Sequence, residues 1–231
     1  MRIFIALFIG IFGCANQLII DDKSPLVSEL SHRTTKLTQQ EIKQLDSVNV
    51  GFQLRGGCYA YSNNKNAKPS NGEAHSYNLP KQIDKEFPRH GFYLVINQNE
   101  FIKIDSNKLG CKLYLVNTSD SVVTLNASDS RLYIIAEALN EDNVWVPITY
   151  LLSSWCGNSY HTVVLDKDEF WEFDIPVFKG KFKTKIRYTL TINKEKKICS
   201  NEIDAYINKE QLDPKKQQGY SRQNLMDPYD D

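Results

Sequence analysis

A cysteine, a histidine and an aspartate follow one another in the middle of the chain, at Cys156, His161 and Asp166. A thiolate acts as a nucleophile when an imidazole lies within hydrogen-bond reach, and a carboxylate can orient that imidazole. The spacing does not by itself bring the three side chains together, no oxyanion-hole motif accompanies them, and a disulfide at Cys156 would remove the nucleophile. The sequence therefore favours a protein without enzymatic activity, with a Cys-His hydrolase as the minor alternative.

The sequence shows no recognisable pattern of ligands for a metal ion or a cofactor. A zinc site needs three or four converging His, Cys or carboxylate ligands. The four histidines are scattered along the chain, at positions 32, 75, 90 and 161. The sequence contains no CxxC or HExxH spacing, no glycine-rich phosphate loop and no GxSxG motif. We therefore expect neither a metal ion nor a cofactor.

Four residues of the central segment could bind a ligand: Trp155, Asn158, Tyr160 and His161. Aromatic rings at the rim of a β-sandwich can stack on sugars or anchor a protein partner, because they offer a large rigid apolar area at a small cost in entropy. Gly157 and Asn158 both tolerate positive φ, which favours a tight turn. The alternative is that these side chains only plug a structural loop. Trp145 and Trp171 lie inside strand patterns and are expected in the core.

The net charge of the chain argues against a partner that is attracted by the electric field of the whole protein. Lys and Arg together number 28, as do Asp and Glu, so the formal net charge is zero. A neutral chain has no field that would draw nucleic acid or an anionic membrane to its whole surface. The basic run between Lys179 and Lys197 is interpreted as the solvated face of a strand. We therefore expect no nucleic acid as a partner.

Short apolar runs separated by turn residues dominate from Gly91 to Ile207 and predict an antiparallel β-sandwich. Strict alternation makes Phe182–Ile192 the clearest strand, and Phe170–Ile175 is its expected hairpin partner. Two earlier hairpins are expected, each about a short polar turn at 97–99 and 117–120. The expected strands are 92–96, 101–104, 111–116, 121–125, 132–139, 144–151, 160–165, 170–175, 182–192 and 198–207.

The region before the sandwich, residues 38–90, reads as a helix followed by an irregular extension. Thr38 and Glu41 form a capping-box pattern, which predicts a short helix over Leu37–Ser47. A strand could follow at Val50–Leu54. Residues 62–75 are rich in Asn, Lys, Ser, Pro and Gly, which predicts a long exposed loop. The loop is either variable decoration or, less favoured, a binding element. Residues 208–231 are expected to form a disordered tail.

The N-terminus reads as an export signal. Met1-Arg2 precedes an apolar run from Ile3 to Phe12, which has the length of a signal h-region and is too short to span a bilayer. Gly13-Cys14 after Ile11-Phe12 resembles the lipobox of bacterial lipoproteins. The resemblance implies a signal peptide over residues 1–13, a lipid anchor on Cys14 and a tether over residues 14–37. Phe12 departs from the usual small residue, so cleavage without lipidation stays open. An uncleaved anchor that runs on to Ile20 is a further alternative, which the polar Asn16 and Gln17 disfavour.

Export changes the expected state of the cysteines. Four remain after Cys14, namely Cys58, Cys111, Cys156 and Cys199. An even number in an exported chain allows two disulfides with three possible connectivities. The weakly favoured pairs are Cys156 with Cys199 and Cys58 with Cys111.

The strand pattern is similar to immunoglobulin-like and fibronectin-like sandwiches. Together with the signal it resembles envelope lipoproteins of diderm bacteria that carry one such domain on a tether. Ala15 behind the cysteine resembles an outer-membrane sorting signal. The resemblance implies a non-enzymatic binding or assembly module for an envelope protein, with carbohydrate binding as the alternative, held at the membrane by its lipid anchor.

Overall fold

The computed structural model describes residues 37–67, 76–105, 107–152 and 157–217. Within them the chain is mainly β, with one short α-helix, α1 (Gln39–Gln44). The expectations for the signal peptide, Cys14, the tether up to residue 36, Trp155 and Cys156 lie outside these residues.

The described residues form fourteen strands, and all of their pairings within the sheets are antiparallel except that of β1 with β9. They are β1 Leu54–Arg55, β2 Lys81–Gln82, β3 Phe92–Ile104, β4 Lys108–Asn117, β5 Val123–Ser128, β6 Arg131–Leu132, β7 Ile134–Leu139, β8 Trp145–Pro147, β9 Thr149–Tyr150, β10 Tyr160–Leu165, β11 Glu169–Pro176, β12 Phe182–Thr191, β13 Lys197–Cys199 and β14 Ile203–Ile207. Two 3-10 helices, at Gly157–Ser159 and Lys209–Leu212, complete the regular structure of these residues.

Two layers face each other across one core. The first layer is the sheet β2-β11-β4-β3. The second combines the sheet β10-β5-β6 with the sheet β13-β12-β7-β8, in which β14 also pairs with β12. A small parallel pair, β1 with β9, lies beside them. This is the layered arrangement of a β-sandwich, as the sequence predicts.

Alternation along the strands fills the space between the layers. In β11, Trp171, Phe173 and Ile175 are buried in the main core, whereas Asp174 is exposed. In β12, Ile186 and Tyr188 enter the same core from the opposite layer. Successive side chains of a strand point to opposite faces, so period-two patterns place one face in the core. The inward residues of both strands were predictable for this reason.

The outer face of the first layer is covered as well. A second apolar cluster contains Tyr93, Val95, Tyr114, Val116 and Phe170, and it packs against Ile83 and Phe87 of the segment before β3. This cover explains why nearly every residue of β4 is buried. A strand buried on both faces shows little alternation in sequence.

The pairing of several strands differs from the sequence prediction. The expected hairpin about residues 97–99 is wrong, because β3 runs on as one strand beside β4 with a register shift between Asn97 and Phe101. The Asn97 side chain accepts from the Asn99 amide at 3.2 Å, and its Nδ2 donates to Glu100 at 3.1 Å. These local bonds turn the polar residues into a bulge instead of a reversal.

The other expected hairpins join different sheets. β4 and β5 lie in opposite layers, and so do β11 and β12. β11 pairs with β4 and β2, whereas β12 pairs with β7, β13 and β14. The turn residues between them are connections across the sandwich, which composition alone does not distinguish from hairpin turns. Charge pairs do form across neighbouring strands, as Arg187 with Glu137 shows at 2.8 Å.

The ends of the folded region take part in the structure. The capping box of α1 is confirmed: the Glu41 amide donates to the Thr38 hydroxyl at 3.2 Å, and the Thr38 amide donates to the Glu41 carboxylate at 2.7 Å. The 3-10 helix after β14 places Gln211 at 0% exposure. Gln53 donates its backbone amide to the Lys216 carbonyl at 2.7 Å. Residues 208–217, expected in the disordered tail, are therefore packed against the body.

Candidate binding surface

The turn between β5 and β6 consists of Asp129 and Ser130, and both residues have positive φ, at 49° and 63°. Ser128 pairs with Arg131 across this turn. Two-residue hairpin turns with positive φ at both positions favour Asn-Gly or Asp-Gly, because a Cβ is disfavoured there. At Ser130 the conformation costs on the order of 1 kcal/mol. Contacts from the surroundings must stabilise it.

Hydrogen bonds from three other segments converge on Ser130. Its backbone amide donates to Nε2 of His161 at 2.9 Å. Its carbonyl accepts from the Ala60 amide at 2.7 Å, and its hydroxyl accepts from the Ser76 amide at 3.2 Å. The turn thereby joins β10, the segment that contains Ala60 and the segment that contains Ser76.

His161 therefore has a structural position. Its side chain is buried at 3% exposure, and Nε2 accepts a hydrogen bond, so the neutral ring carries its proton on Nδ1. Asp166 follows the end of β10, about 16 Å further along an extended chain, and its carboxylate accepts from Asn64 at 2.7 Å. The structure thus does not bring Asp166 to His161 as an orienting group. Cys156 lies outside the described residues.

Partly exposed aromatic and polar side chains surround the turn. Tyr59 and Tyr61 flank the buried Ala60 and lie at intermediate exposure, while Tyr77 is 95% exposed. Tyr160 pairs with Ser128 next to the turn. Asn158 is exposed in the 3-10 helix, whose Ser159 carbonyl accepts from the Asp129 amide at 2.9 Å. We call Tyr59, Tyr61, Tyr77, Asn158 and Tyr160 the tyrosine surface.

Hydrogen bonds from the Asn78 side chain, from the Trp171 indole and between backbone groups fix this surface to the sandwich. Nδ2 of Asn78 donates to the Tyr59 carbonyl at 2.9 Å and to the Glu172 carbonyl at 3.0 Å. The Tyr61 amide donates to the Asn78 carbonyl at 2.9 Å, and the Tyr61 carbonyl accepts from the Trp171 indole at 3.3 Å. The backbone that carries the tyrosines is thus held in place before any ligand arrives, which lowers the entropy cost of binding.

A cation lies beneath the tyrosine surface. Arg131 is only 4% exposed, and its Nη1 donates to the Leu152 carbonyl at 3.1 Å. Its guanidinium lies 5.8 Å from the centre of the Tyr59 ring. Burial lowers the pKa of Arg131 from its ordinary value, and the neighbouring Tyr59 opposes that shift. An arginine remains charged in any protein environment, so it gives this end of the sandwich a fixed positive charge.

The main titratable cluster of the described chain lies elsewhere, on the outer face of the first layer. The Tyr114 hydroxyl donates to the buried carboxylate of Glu100 at 2.5 Å. The Lys85 ammonium donates to the Tyr114 oxygen at 2.9 Å and lies 4.0 Å from the centre of its ring. Phe87 and Phe170 pack edge-on or tilted against Tyr114 and against each other. Burial, the hydrogen bond to Glu100 and its charge raise the pKa of Tyr114 strongly.

The cysteines differ from the expected framework. Cys58 and Cys111 are free and buried, so the expected disulfide between them is wrong. Both belong to the main apolar core, where packing favours thiols as small apolar groups. Burial raises the pKa of Cys58 to about 12, and burial together with Glu100 raises that of Cys111 to about 12. Cys199 is disulfide-bonded; its pairing with Cys156 stays a prediction.

Sequence reasoning placed only part of the surface. The sequence prediction names Trp155, which lies outside the described residues, together with Asn158, Tyr160 and His161; the structure exposes Asn158, leaves Tyr160 at intermediate exposure and buries His161. It missed Tyr59, Tyr61 and Tyr77, because their segments lack strand periodicity and the loop between them was interpreted as decoration. The available signal was composition: tyrosine, serine and asparagine concentrate from residue 59 to residue 78. The prediction that Trp145 lies in the core is wrong, because its side chain is only partly buried and the Arg187 guanidinium lies 4.2 Å from the centre of its ring.

Comparison with protein-family models and with curated proteins finds no match for this chain. Among the described residues no set of three or more His, Cys, Asp or Glu side chains is placed to hold a metal ion. The same residues contain no helix with the length and apolarity needed to cross a bilayer.

Proposed function

We propose that this protein is a membrane-tethered binding module of the cell envelope that uses the tyrosine surface to bind a protein partner. The observation that carries the proposal is the 95% exposure of Tyr77 on a backbone that is fixed on both sides, by the hydrogen bond of Ser76 to Ser130 and by those of the Asn78 side chain. A large aromatic side chain in water on a rigid support is a typical anchor of a protein interface.

The composition around Tyr77 supports the same conclusion. Tyrosine supplies contact area with few rotatable bonds, and serine and asparagine supply adaptable hydrogen bonds, as in antibody binding loops. Residues 59–66 read Tyr-Ala-Tyr-Ser-Asn-Asn-Lys-Asn, and residues 76–78 read Ser-Tyr-Asn. Asn158 and Tyr160 extend this surface from the other side of the turn. Arg131 beneath it favours a partner surface that carries acidic residues.

The tether is supported by the sequence of the N-terminus. A charged start, an apolar run and Gly13-Cys14 form the pattern of an exported lipoprotein. A lipid chain on Cys14 would hold the module at the membrane, with the outer membrane as the proposed site. Replacement of Cys14 by Ser should release the protein from the membrane fraction and abolish incorporation of radiolabelled palmitate. A variant that still fractionates with membranes would contradict the anchor.

Site-specific photo-crosslinking tests the binding surface in the native envelope. A photoreactive phenylalanine analogue replaces Tyr77 in one version of the full chain and Tyr206 in another. Tyr206 is a matched control: it is 51% exposed and lies opposite Lys183, about 23 Å along β12 from Leu190 at the tyrosine end. We expect one discrete protein adduct from position 77 and none of that mass from position 206.

Two outcomes would overturn the protein-binding proposal. Identical adducts from both positions would show non-specific contact. Absence of an adduct at position 77, together with glycan-array binding that Tyr160→Ala abolishes, would establish the carbohydrate-binding alternative, since half-buried Tyr160 beside exposed Asn158 could stack on a sugar.

A double variant, Tyr59→Ser with Tyr77→Ser, should weaken a protein complex at least tenfold, because interface aromatics carry most of the binding energy.

A further inference from the structure

The outer face of the second layer carries apolar side chains that lie outside the core. Trp145 of β8 pairs with Leu139 of β7, and both point outward because Ala138, the neighbour of Leu139, belongs to the main core. Pro147 shares this face and is exposed, and Tyr206 of β14 is 51% exposed. None of these four side chains belongs to an apolar cluster of the described residues. We call Leu139, Trp145, Pro147 and Tyr206 the outer apolar face.

Lysine side chains of the central strand β12 lie beside Tyr206. Lys183 is its direct partner across the strands, and Lys185 and Arg187 follow on the same face. Lys185 and Arg187 each have a carboxylate partner. Lys181 and Lys183 are exposed and form no ion pair among the described residues. An occupant of this face would therefore meet apolar side chains next to two unpaired cations.

The segment that follows the described body has the complementary chemistry. Residues 225–231 read Leu-Met-Asp-Pro-Tyr-Asp-Asp, in which three carboxylates accompany three large apolar side chains and no basic residue occurs. Pro228 favours an extended backbone at the residue before it, which suits a chain laid across a sheet. Of the segments outside the described residues, only 218–231 contains more acidic than basic residues. Charge therefore selects this segment over the others.

The segment starts next to the outer apolar face. The Gln53 side chain donates to the Pro147 carbonyl at 2.7 Å, and Gln217 forms a parallel bridge with Gln53. Gln217 thus lies about two strand spacings, or roughly 10 Å, from β8, and β12 lies roughly 10 Å beyond β8. The twelve residues from Gln217 to Tyr229 span up to about 40 Å when extended. The segment is therefore long enough to cross the face.

We propose that residues 225–231 bind in cis to the outer apolar face, with their apolar side chains on Trp145 and with Asp230 and Asp231 paired to Lys183. The contact is separate from the tyrosine surface and does not depend on the proposed partner binding. It gives the second layer a cover, as the segment before β3 covers the first layer. Because β8 is the last strand of its sheet, the bound segment also protects an edge from association with other chains.

Photo-crosslinking within the full chain tests this contact. A photoreactive phenylalanine analogue replaces Tyr229, and mass spectrometry of the digested protein locates the new bond. An equal mixture of isotopically heavy and light protein distinguishes a bond within one chain from a bond between two copies. We expect one main crosslink, within a single chain, whose fragment spectra place it between residues 139 and 147.

A charge swap supplies the matched control. Asp230→Lys with Asp231→Lys should lower the crosslink yield about threefold, because the segment would then be repelled by the lysines of the face. Lys181→Glu with Lys183→Glu should lower it by a similar factor. The protein that carries all four substitutions should recover the yield, which a mere loss of folding would not produce. All four side chains lie outside the core, so circular dichroism should remain that of the wild type.

Four outcomes would overturn the proposal. Crosslinks scattered over many peptides would show that the segment does not dock. A bond between heavy and light chains would show that the face binds a second copy. A bond located at residues 158–160 would place the segment on the tyrosine surface. Failure of the fourfold variant to recover the yield would exclude the pairing of the carboxylates with Lys183.

Discussion

The backbone amide of Ser130 donates a 2.9 Å hydrogen bond to Nε2 of His161. This bond joins a turn with positive φ to β10, the strand that carries the histidine expected as the base of a cysteine hydrolase. The lone pair that a thiol would need is shared with a buried amide. His161 thus contributes to the support of the tyrosine surface.

Replacement of His161 by Ala should destabilise the fold by about 1–3 kcal/mol, because the Ser130 amide would lose this acceptor in a buried site. His161→Gln can place an amide oxygen near the position of Nε2 and should recover much of that loss. Urea unfolding followed by circular dichroism measures both. His90→Ala, at an exposed histidine, is the control and should change stability by less than about 0.5 kcal/mol. Equal stability of His161→Ala and wild type would refute the supporting role.

The Asp129-Ser130 turn illustrates which features of the fold can be predicted from the sequence and which cannot. Period-two alternation identified β10, β11 and β12 and the inward side of Trp171, since burial of one face leaves a direct trace in the sequence. The choice of partner strand, in contrast, leaves no pattern in the sequence. A polar turn between two strands looks alike whether it reverses the chain within one sheet, as at Asp129-Ser130, or crosses the sandwich, as between β11 and β12.

The candidate surface was harder to predict than the fold for a physical reason. Tyr59, Tyr61 and Tyr77 lie on irregular backbone that is fixed by the Asn78 side chain and by the Ser130 turn. Those contacts join residues far apart in sequence, such as Asn78 with Glu172. Periodicity reports local geometry, whereas these positions are set by long-range hydrogen bonds.

The Lys85 and Glu100 side chains should be energetically coupled through Tyr114. Lys85→Met removes the cation near a buried carboxylate, and Glu100→Gln removes the charge but keeps an acceptor for the Tyr114 hydroxyl. Each single variant should cost about 1–3 kcal/mol. Their double variant should cost less than the sum, with a coupling of about 0.5–3 kcal/mol measured by a double-mutant cycle in urea. Additive costs would show that the Lys85 charge and the Glu100 charge do not interact.

Stability should depend on pH through Glu172. Burial raises the pKa of this carboxyl, but the hydrogen bonds and charges of Lys81 and Lys112 outweigh burial and hold the pKa below its ordinary value of 4.5. A carboxyl with a lowered pKa stabilises the folded state above pH 4.5, and this contribution is lost as the pH falls below that value.

Glu172→Gln should therefore be less stable than wild type at pH 7, and the difference should shrink as the pH falls below 4.5. We expect about 1 kcal/mol at pH 7, since Lys81 is half-exposed and water screens its charge. Urea unfolding of both proteins across this pH range provides the measurement. The exposed Glu86→Gln serves as the control. A difference that stays constant with pH would contradict the ion pairs as its cause.

Cys58 and Cys111 should resist alkylation in the folded protein and react fully once it unfolds. Both are free and no more than 5% exposed, and burial raises the pKa of each thiol to about 12, so the reactive thiolate is scarce at pH 8. Iodoacetamide followed by peptide mass mapping, with and without 6 M guanidinium, measures the two states. The same map should show Cys199 protected in both states until a reductant is added, because its sulfur is held in a disulfide. Rapid alkylation of Cys58 in the native protein would contradict its burial in the core.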